Sequence, residues 1–360
     1  MPPVKAFDID KQGFIIPAMH VRIALIGAGY WGRNLARNIH SNPRSELKTV
    51  CDADPGTALA TAEEYGAEAS SDLGDVLADR DIDAVVIATP SSLHPEHAIA
   101  AAGAGKHIFV EKPMANSAED ARAMAGAAEE AGVKLMVGFT FLYNNIVADI
   151  KGRIDSGDLG DIHYVYSRRL NLGKFRRDND VVWTLAPHDI SILNYWFNDK
   201  PKRVTARGLT YAHPQSGQVE VCFAQLDYGN DLSGNLHLSW LDPQKFREMV
   251  IVGSKKMLIY DDATPGRHIR IFDKRVDVTD NPRGGDSHDY VTRLRTGDIV
   301  IPNIRLEEPL AAEIEHFVDC IITGNDPLTD GRHGVAVTQV MSAMSRSIET
   351  DGALTAVEYD

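Results

Sequence analysis

The sequence predicts an α/β fold in two parts: a doubly wound parallel sheet first, then an α/β domain carrying a mainly antiparallel sheet. Three observations point there. Short aliphatic runs alternate with helical patterns from Val21 to about residue 141. A glycine-rich turn joins the first run to the first helix. From "LGDIHYVYSRRLNLG" onward the runs are richer in β-branched and aromatic residues and are separated by polar turns.

Val21 to Ile26 is aliphatic almost throughout, as expected of a strand covered on both faces. In "ALIGAGYWGRNLARNIH", Gly27, Gly29 and Gly32 follow at GxGxxG spacing, and Leu35, Ala36 and Ile39 recur at helical intervals. A second strand, Leu47 to Cys51, ends at Asp52. Each part has a mechanical reason. Gly27 permits the tight turn, Gly29 lets backbone approach a pyrophosphate, and Gly32 lets helix and strand pack closely. The helix N-terminus offers unpaired N–H groups to phosphate. Asp52 suits ribose hydroxyls and repels a 2′-phosphate, so NAD is expected in preference to NADP.

The alternation continues with a helix at 72–78, a strand in "DAVVIATP", a helix in "HPEHAIAAAGAG" and a strand in "KHIFVEKP". Ser117 is placed to N-cap the next helix, with Glu119 and Asp120 in its first turn, and "VKLMVGF" closes the sheet. Lys112 falls where a parallel strand delivers its carboxyl end to a ligand crevice, and Pro113 restricts it to extended conformations.

The 360 residues suffice for two domains with real cores. A net charge of −14 disfavours nucleic acid or anionic membrane as a general partner. Cys51, Cys222 and Cys320 lie far apart, which argues against a disulfide framework and a zinc site; reduced cysteines fit the cytoplasm. No metal is expected. No apolar run approaches the roughly 20 residues of a membrane span. Residues 1–20 lack a signal-peptide pattern and read as a loose tail or an arm packing on another subunit.

The motifs "GAGYWG", "ATPSSLHPEHA", "GKHIFVEKPMA" and "GFTFLYNN" resemble the glucose-fructose oxidoreductase, inositol dehydrogenase and MocA (Gfo/Idh/MocA) family, and the resemblance runs from Val21 to "TDGRHGVAVTQVMSAMSRS". It implies an extension at 1–20, an NAD-binding Rossmann domain at 21–141, and a substrate-binding and oligomerisation domain with a large open sheet at 142–360. Cofactor contacts carried over are Gly27, Gly29, Tyr30, Trp31, Gly32, Asp52, Thr89, Pro90, His94, Glu111 and Lys112. His94 is equally readable as a capping or packing residue. Lys112 is implied to touch both the nicotinamide ribose and the reacting hydroxyl, and a cis Lys112–Pro113 bond is compatible with the resemblance. Partners implied are a sugar or nucleotide-sugar substrate and a second copy of the chain, as dimer or tetramer, over the sheet.

The segment "RRLNLGKFRRDNDVVWTLAPHDISILNYW" is similar to the nucleotide-sugar 3-dehydrogenases of that family, such as those acting on UDP-N-acetylhexosaminuronates. Asn171, Gly173, Arg176, Asp178, Trp183, Pro187, His188 and Asp189 match their pattern, whereas Asp180 and Thr184 depart from it. His188 is the candidate general base, although an isolated histidine also serves as a cap or core residue. Pro187 suits a first helical position, which puts His188 in a first turn where the dipole favours neutral imidazole. Thr184 stands where many relatives have a carboxylate that orients the histidine. Strand alternation puts Arg169 and Asn171 on one face and Arg168 on the other. With Arg176 and Arg177, Arg169 favours an anionic substrate over the alternative of a solvated basic loop. Lys112, Arg169, Asn171, Arg176, Thr184, His188 and Asp189 form the expected substrate set. The expected reaction is NAD-dependent oxidation of a secondary hydroxyl, at C3 of a nucleotide-linked sugar. Alternatives are an inositol or free-sugar dehydrogenase, an NAD-using glycosidase, and a non-enzymatic sensor.

Overall fold

The computed structural model describes residues 7–9, 15–17, 20–173, 175, 179–264, 266–280 and 290–359, with backbone alone at 7–9, 15–17, 278–280 and 290–291. Two short strands, β1 (Phe7–Ile9) and β2 (Ile15–Pro17), open the chain. Then come β3 (Val21–Ile26), α1 (Tyr30–Ser41), β4 (Ser45–Cys51), α2 (Pro55–Tyr65), β5 (Glu68–Ser70), α3 (Leu73–Ala78) and β6 (Ala84–Ile87). They are followed by α4 (His94–Gly103), β7 (His107–Glu111), α5 (Ala118–Ala131) and β8 (Leu135–Gly138). The middle of the chain forms α6 (Asn145–Asp155), β9 (Ile162–Leu172), α7 (Val181–Phe197), β10 (Arg203–Leu209), β11 (Val221–Gly229) and β12 (Leu232–Ser239). Next are β13 (Leu241–Gly253), β14 (Met257–Asp261), β15 (Ile269–Asp280) and β16 (Tyr290–Val300). Two helices, α8 (Pro309–Thr323) and α9 (Gly331–Glu349), and the short β17 (Thr355–Ala356) end it.

The contacts divide the chain into two compact units. The first comprises Met1–Tyr143 and Glu307–Thr338; the second comprises Asn144–Leu306 and Gln339–Asp360. The first unit holds a six-stranded, all-parallel sheet in the order β5-β4-β3-β6-β7-β8, which is the doubly wound order with its switch point between β3 and β6. Its central strands are buried because helices cover both faces, and Ile23, Leu25, Val86 and Phe109 are fully enclosed, whereas the edge strand β5 is open. Ser117 caps α5 by accepting from Asp120 N, as its position predicts.

Placing all of 142–360 in the second domain needs correction. Leu310, Ile314, Phe317 and Val318 of α8 join the core around Ile23, Leu25 and Phe109. Each such side chain contributes about 1.5–3 kcal/mol on leaving water, so α8 belongs to the first unit. The N-terminal segment also differs from a loose tail: β1 and β2 pair antiparallel, Asp8 opposite Ile16.

The second unit is built on a nine-stranded mixed sheet, order β16-β15-β14-β13-β9-β12-β11-β10-β17. Among its described strands, only β9 and β12 pair in parallel. On β9, Val165, Ser167 and Arg169 are buried while Tyr164 and Tyr166 are exposed, so the strand alternation expected from sequence holds. Arg168 lies on the open face, bonded to Glu248 at 2.6 Å and stacked on Phe246. That face also exposes Phe223, and no helix of the described residues is long and apolar enough to cross a membrane.

Candidate active site

The glycine turn of the first unit is shaped by backbone clashes that only glycine avoids. Gly27 has φ +94°, and a Cβ there would lie 2.8 Å from the Ala88 backbone at the switch point. A Cβ on Gly32 would lie 2.0 Å from the Gly27 carbonyl oxygen. Gly29, the N-cap residue of α1, has nothing within 4 Å of a hypothetical Cβ, so this edge of the turn is open. The first turn of α1 carries no acidic side chain and no side-chain cap, which leaves its positive end to an anion. Asp52 Oδ2 accepts from Ala28 N at 2.8 Å and Oδ1 from Asp54 N at 3.0 Å. Each oxygen keeps a lone pair for a ribose hydroxyl. These features fit a dinucleotide.

The ends of β6 and β7 complete this side. Thr89 Oγ1 contacts His97 Nδ1, Pro90 is exposed and opens a short 3₁₀ turn, and the Lys112–Pro113 bond is cis. Tyr30 is exposed at the start of α1. The indole Nε1 of Trp31 donates to Glu111 Oε1, and Lys112 N donates to Glu111 Oε2 at 3.1 Å. Burial pushes the Glu111 carboxyl up to about 7 against the opposing pull of the Lys112 charge and the Trp31 hydrogen bond. Lys112 itself is half-buried at the carboxyl end of β7.

His94 corrects its expected role. Its ring is 1% exposed, with Nδ1 3.0 Å from Pro113 O and Nε2 3.0 Å from Thr89 O. A neutral ring donates to only one of the two, and burial holds its pKa below the ordinary histidine value. His94 therefore joins the turns after β6 and β7, the packing alternative, rather than touching a ligand itself.

In the second unit, α7 begins earlier than its proline suggests. Asp180 is the N-cap and accepts from Trp183 N at 3.0 Å, so Pro187 lies inside the helix. Lacking an N–H, Pro187 leaves the Trp183 carbonyl without its helical donor. His188 thus sits in the third turn, and the dipole argument for its neutrality does not apply. The departure at Asp180 is accounted for, since Asp and Asn cap helices equally well.

Arg169 and Asp189 also need correction as substrate contacts. Arg169 Nε and Nη2 both donate to Asp189 Oδ1, at 3.0 and 2.6 Å, and Ser167 Oγ donates to Oδ2 at 3.0 Å. Asp189 is fully buried and Arg169 nearly so. The pair pins α7 to β9 and fixes the helix rotation. His188, about 100° around from Asp189, is half-buried, as are Thr184 one turn before it and Asn171 near the end of β9. Thr184 Oγ1 is buried without a hydrogen-bond partner among the described residues. Gly173 is required by packing, because a Cβ would lie 2.8 Å from Trp240 Cδ1. Arg176, Arg177 and Asp178 lie outside the described residues.

One residue that sequence reasoning missed is Glu313 of α8, fully buried and hydrogen-bonded by Thr140 Oγ1 at 2.8 Å. The available signal was an acid three residues after Leu310 and four before Phe317, inside an apolar stripe.

Comparison with known proteins follows this division. Residues 21–139 match the oxidoreductase family with NAD-binding Rossmann fold, and 147–259 match the Gfo/Idh/MocA C-terminal domain. The chain is 29% identical to a scyllo-inositol 2-dehydrogenase (NAD(+)) of Bacillus subtilis over 86% of its own length and 88% of the relative's. It is 28% identical to an inositol 2-dehydrogenase of Rhizobium meliloti, covering 92% and 97%. In fold it is similar to the UDP-N-acetylglucosamine 3-dehydrogenase of Acidithiobacillus ferrooxidans, with a TM-score of 0.76, 24% identity, and 92% and 98% of the chains covered. With the glycine turn, the Glu111-Lys112-Pro113 strand end and both domain profiles in place, the chain belongs to the Gfo/Idh/MocA family of NAD-dependent oxidoreductases.

Proposed function

We propose that this oxidoreductase oxidises a secondary hydroxyl at C3 of a nucleotide-linked hexose or hexuronate. The observation that carries the reading is the "RLNLG…TLAPHD" segment with His188 and Asn171 half-buried on it, in a chain that also has Lys112 at the end of β7. NAD at the glycine turn supplies the hydride acceptor. Lys112 holds the alcohol oxygen and steadies the negative charge that develops on it. His188 takes the hydroxyl proton as general base. Asn171 and Thr184 hydrogen-bond the sugar, and Arg176 meets a diphosphate or carboxylate.

A second reading, oxidation of an inositol or free sugar, is favoured by the two relatives named inositol dehydrogenases, which the chain matches over most of their length. The engagement of Arg169 with Asp189 removes one arginine from the anionic case as well. NADH absorbance with UDP-hexoses, UDP-hexuronates and inositols, with an NADP control, separates them. Nucleotide-sugar turnover at low KM supports the first reading; turnover of inositols alone selects the second. On either reading a second copy of the chain covers the open sheet face at Tyr164, Tyr166 and Phe223, and light scattering should return a dimer or tetramer that Phe223→Glu weakens.

A further inference from the structure

The loop between β10 and β11 is built around one acid. Glu220, 1% exposed, accepts at Oε2 from Tyr211 N at 2.7 Å and Ala212 N at 2.6 Å, and at Oε1 from His213 N at 2.9 Å. Burial opposes its charge, but these amides and the His213 ring hold its carboxyl below the ordinary range. The ring bond joins Nδ1 to Oε1 at 2.9 Å. A carboxylate only accepts, so Nδ1 carries the hydrogen and the tautomer is fixed. Three backbone donors already satisfy Glu220, so closing the loop does not require an imidazole. The His213 side chain is 55% exposed, and Nε2 is its remaining polar atom.

This loop is tied to the segment that carries Asn171 and His188. Phe175, four residues after Asn171, meets the His213 ring edge to face with centroids 4.6 Å apart and the Trp240 ring at 5.7 Å. Trp240 joins the same elements through backbone: its carbonyl accepts from Gly173 N and its N–H donates to Glu220 O, both at 3.0 Å. Helix α7 also starts here, with Val181 N donating to Val219 O at 3.0 Å. His188 follows seven residues later, about 10 Å along the helix. A group on this loop therefore suits a part of the ligand away from the reacting carbon. In sequence, Phe175 lies in "KFRR", a basic run in a chain of net charge −14. Protonated, the His213 ring offers an outward N–H whose direction Glu220 fixes, a charge-assisted donor for a phosphate oxygen.

We propose that His213 binds the diphosphate of the nucleotide-linked substrate through Nε2, with Glu220 as the positioning residue behind it. The inference rests on the nucleotide-sugar reading. The test uses the full chain with NAD bound: calorimetry with UDP, initial rates with UDP-hexoses and UDP-hexuronates, and the melting temperature. His213→Ala should weaken UDP binding and raise the KM of both UDP-sugar classes at least about tenfold, the worth of a hydrogen bond to a charged group, with the loss in KM rather than kcat. His213→Asn still has an N–H for Glu220 but carries no charge. It should lose as much affinity as His213→Ala while melting with the unaltered chain. A His213→Ala protein with the original UDP Kd and KM overturns the proposal. So does a His213→Asn protein with full affinity, since the side chain then serves the loop and not the ligand. A loss confined to UDP-hexuronates, with UDP and UDP-hexoses unaffected, moves the contact to the sugar carboxylate and overturns the diphosphate assignment. If the unaltered chain binds neither UDP nor UDP-sugars, the nucleotide-sugar reading fails and takes the proposal with it; failure of the proposal alone leaves that binding intact.

Discussion

The two units use their motifs in different ways. In the first, Gly27, Gly29 and Gly32 act through backbone: two avoid clashes with Ala88 and Gly27 itself, and the third leaves an open edge. In the second, the motif acts through side chains, and several of these face inward. Asp180 caps α7, and Arg169 is bonded to Asp189. The end of a parallel strand is a crevice by topology, so a motif there marks a ligand. A motif shared by a helix and a strand also contains the groups that hold the two together.

The comparison is broken most severely by removing the proposed general base. His188→Ala should reduce single-turnover NAD reduction by about 10²–10⁴-fold, the usual worth of a general base. An unchanged rate would return His188 to the scaffold. Asp189→Asn should act differently. It leaves the Arg169 guanidinium buried beside a neutral amide, and losing one partner of a buried pair costs about 3–5 kcal/mol. Urea unfolding should show that loss, with kcat falling because α7 is no longer pinned. Unchanged stability with a raised substrate KM would restore Asp189 as a substrate contact.

The glycines sharpen the same contrast with smaller effects. Gly27→Ala places a Cβ against backbone at positive φ and should cost about 1–3 kcal/mol of stability as well as NAD affinity. Gly29→Ala has open space, so stability should change by under about 1 kcal/mol while the NAD Kd, measured by calorimetry, rises at least about tenfold. Equal stability losses in both variants would mean that the Gly29 edge is structural.

What was legible in the sequence follows from how local each signal is. Val21–Ile26, the glycine turn and Asp52 are contiguous, and their geometry is set within one βαβ unit, so β3, α1 and β4 appear where expected. The apolar face of α8 was equally visible, but periodicity does not say which sheet it covers; Ile314 and Phe317 belong to the core around Ile23. Pro187 misled because proline is enriched in first turns. Asp180, an N-cap seven residues earlier, was the competing signal. The Arg169–Asp189 pair spans 20 residues and needed the register of α7 on β9, which alternation along a single strand does not supply.

The smallest expected effect concerns the departure at residue 184. Thr184 Oγ1 is buried one turn before His188 and has no hydrogen-bond partner among the described residues. In the role proposed for His188 as general base, a carboxylate one turn earlier would stabilise the protonated imidazole. Thr184→Asp should therefore raise kcat, by up to about tenfold, and move the acid limb of the kcat/KM profile to higher pH by up to about one unit. The burial of a new charge acts against it, and a Thr184→Asn control separates hydrogen bonding from charge. If Asn and Asp raise the rate equally, orientation of the ring is what Thr184 fails to provide. If only Asp does, the missing element is the charge, and the second unit carries a histidine whose surroundings have been altered at one position without losing the helix that presents it.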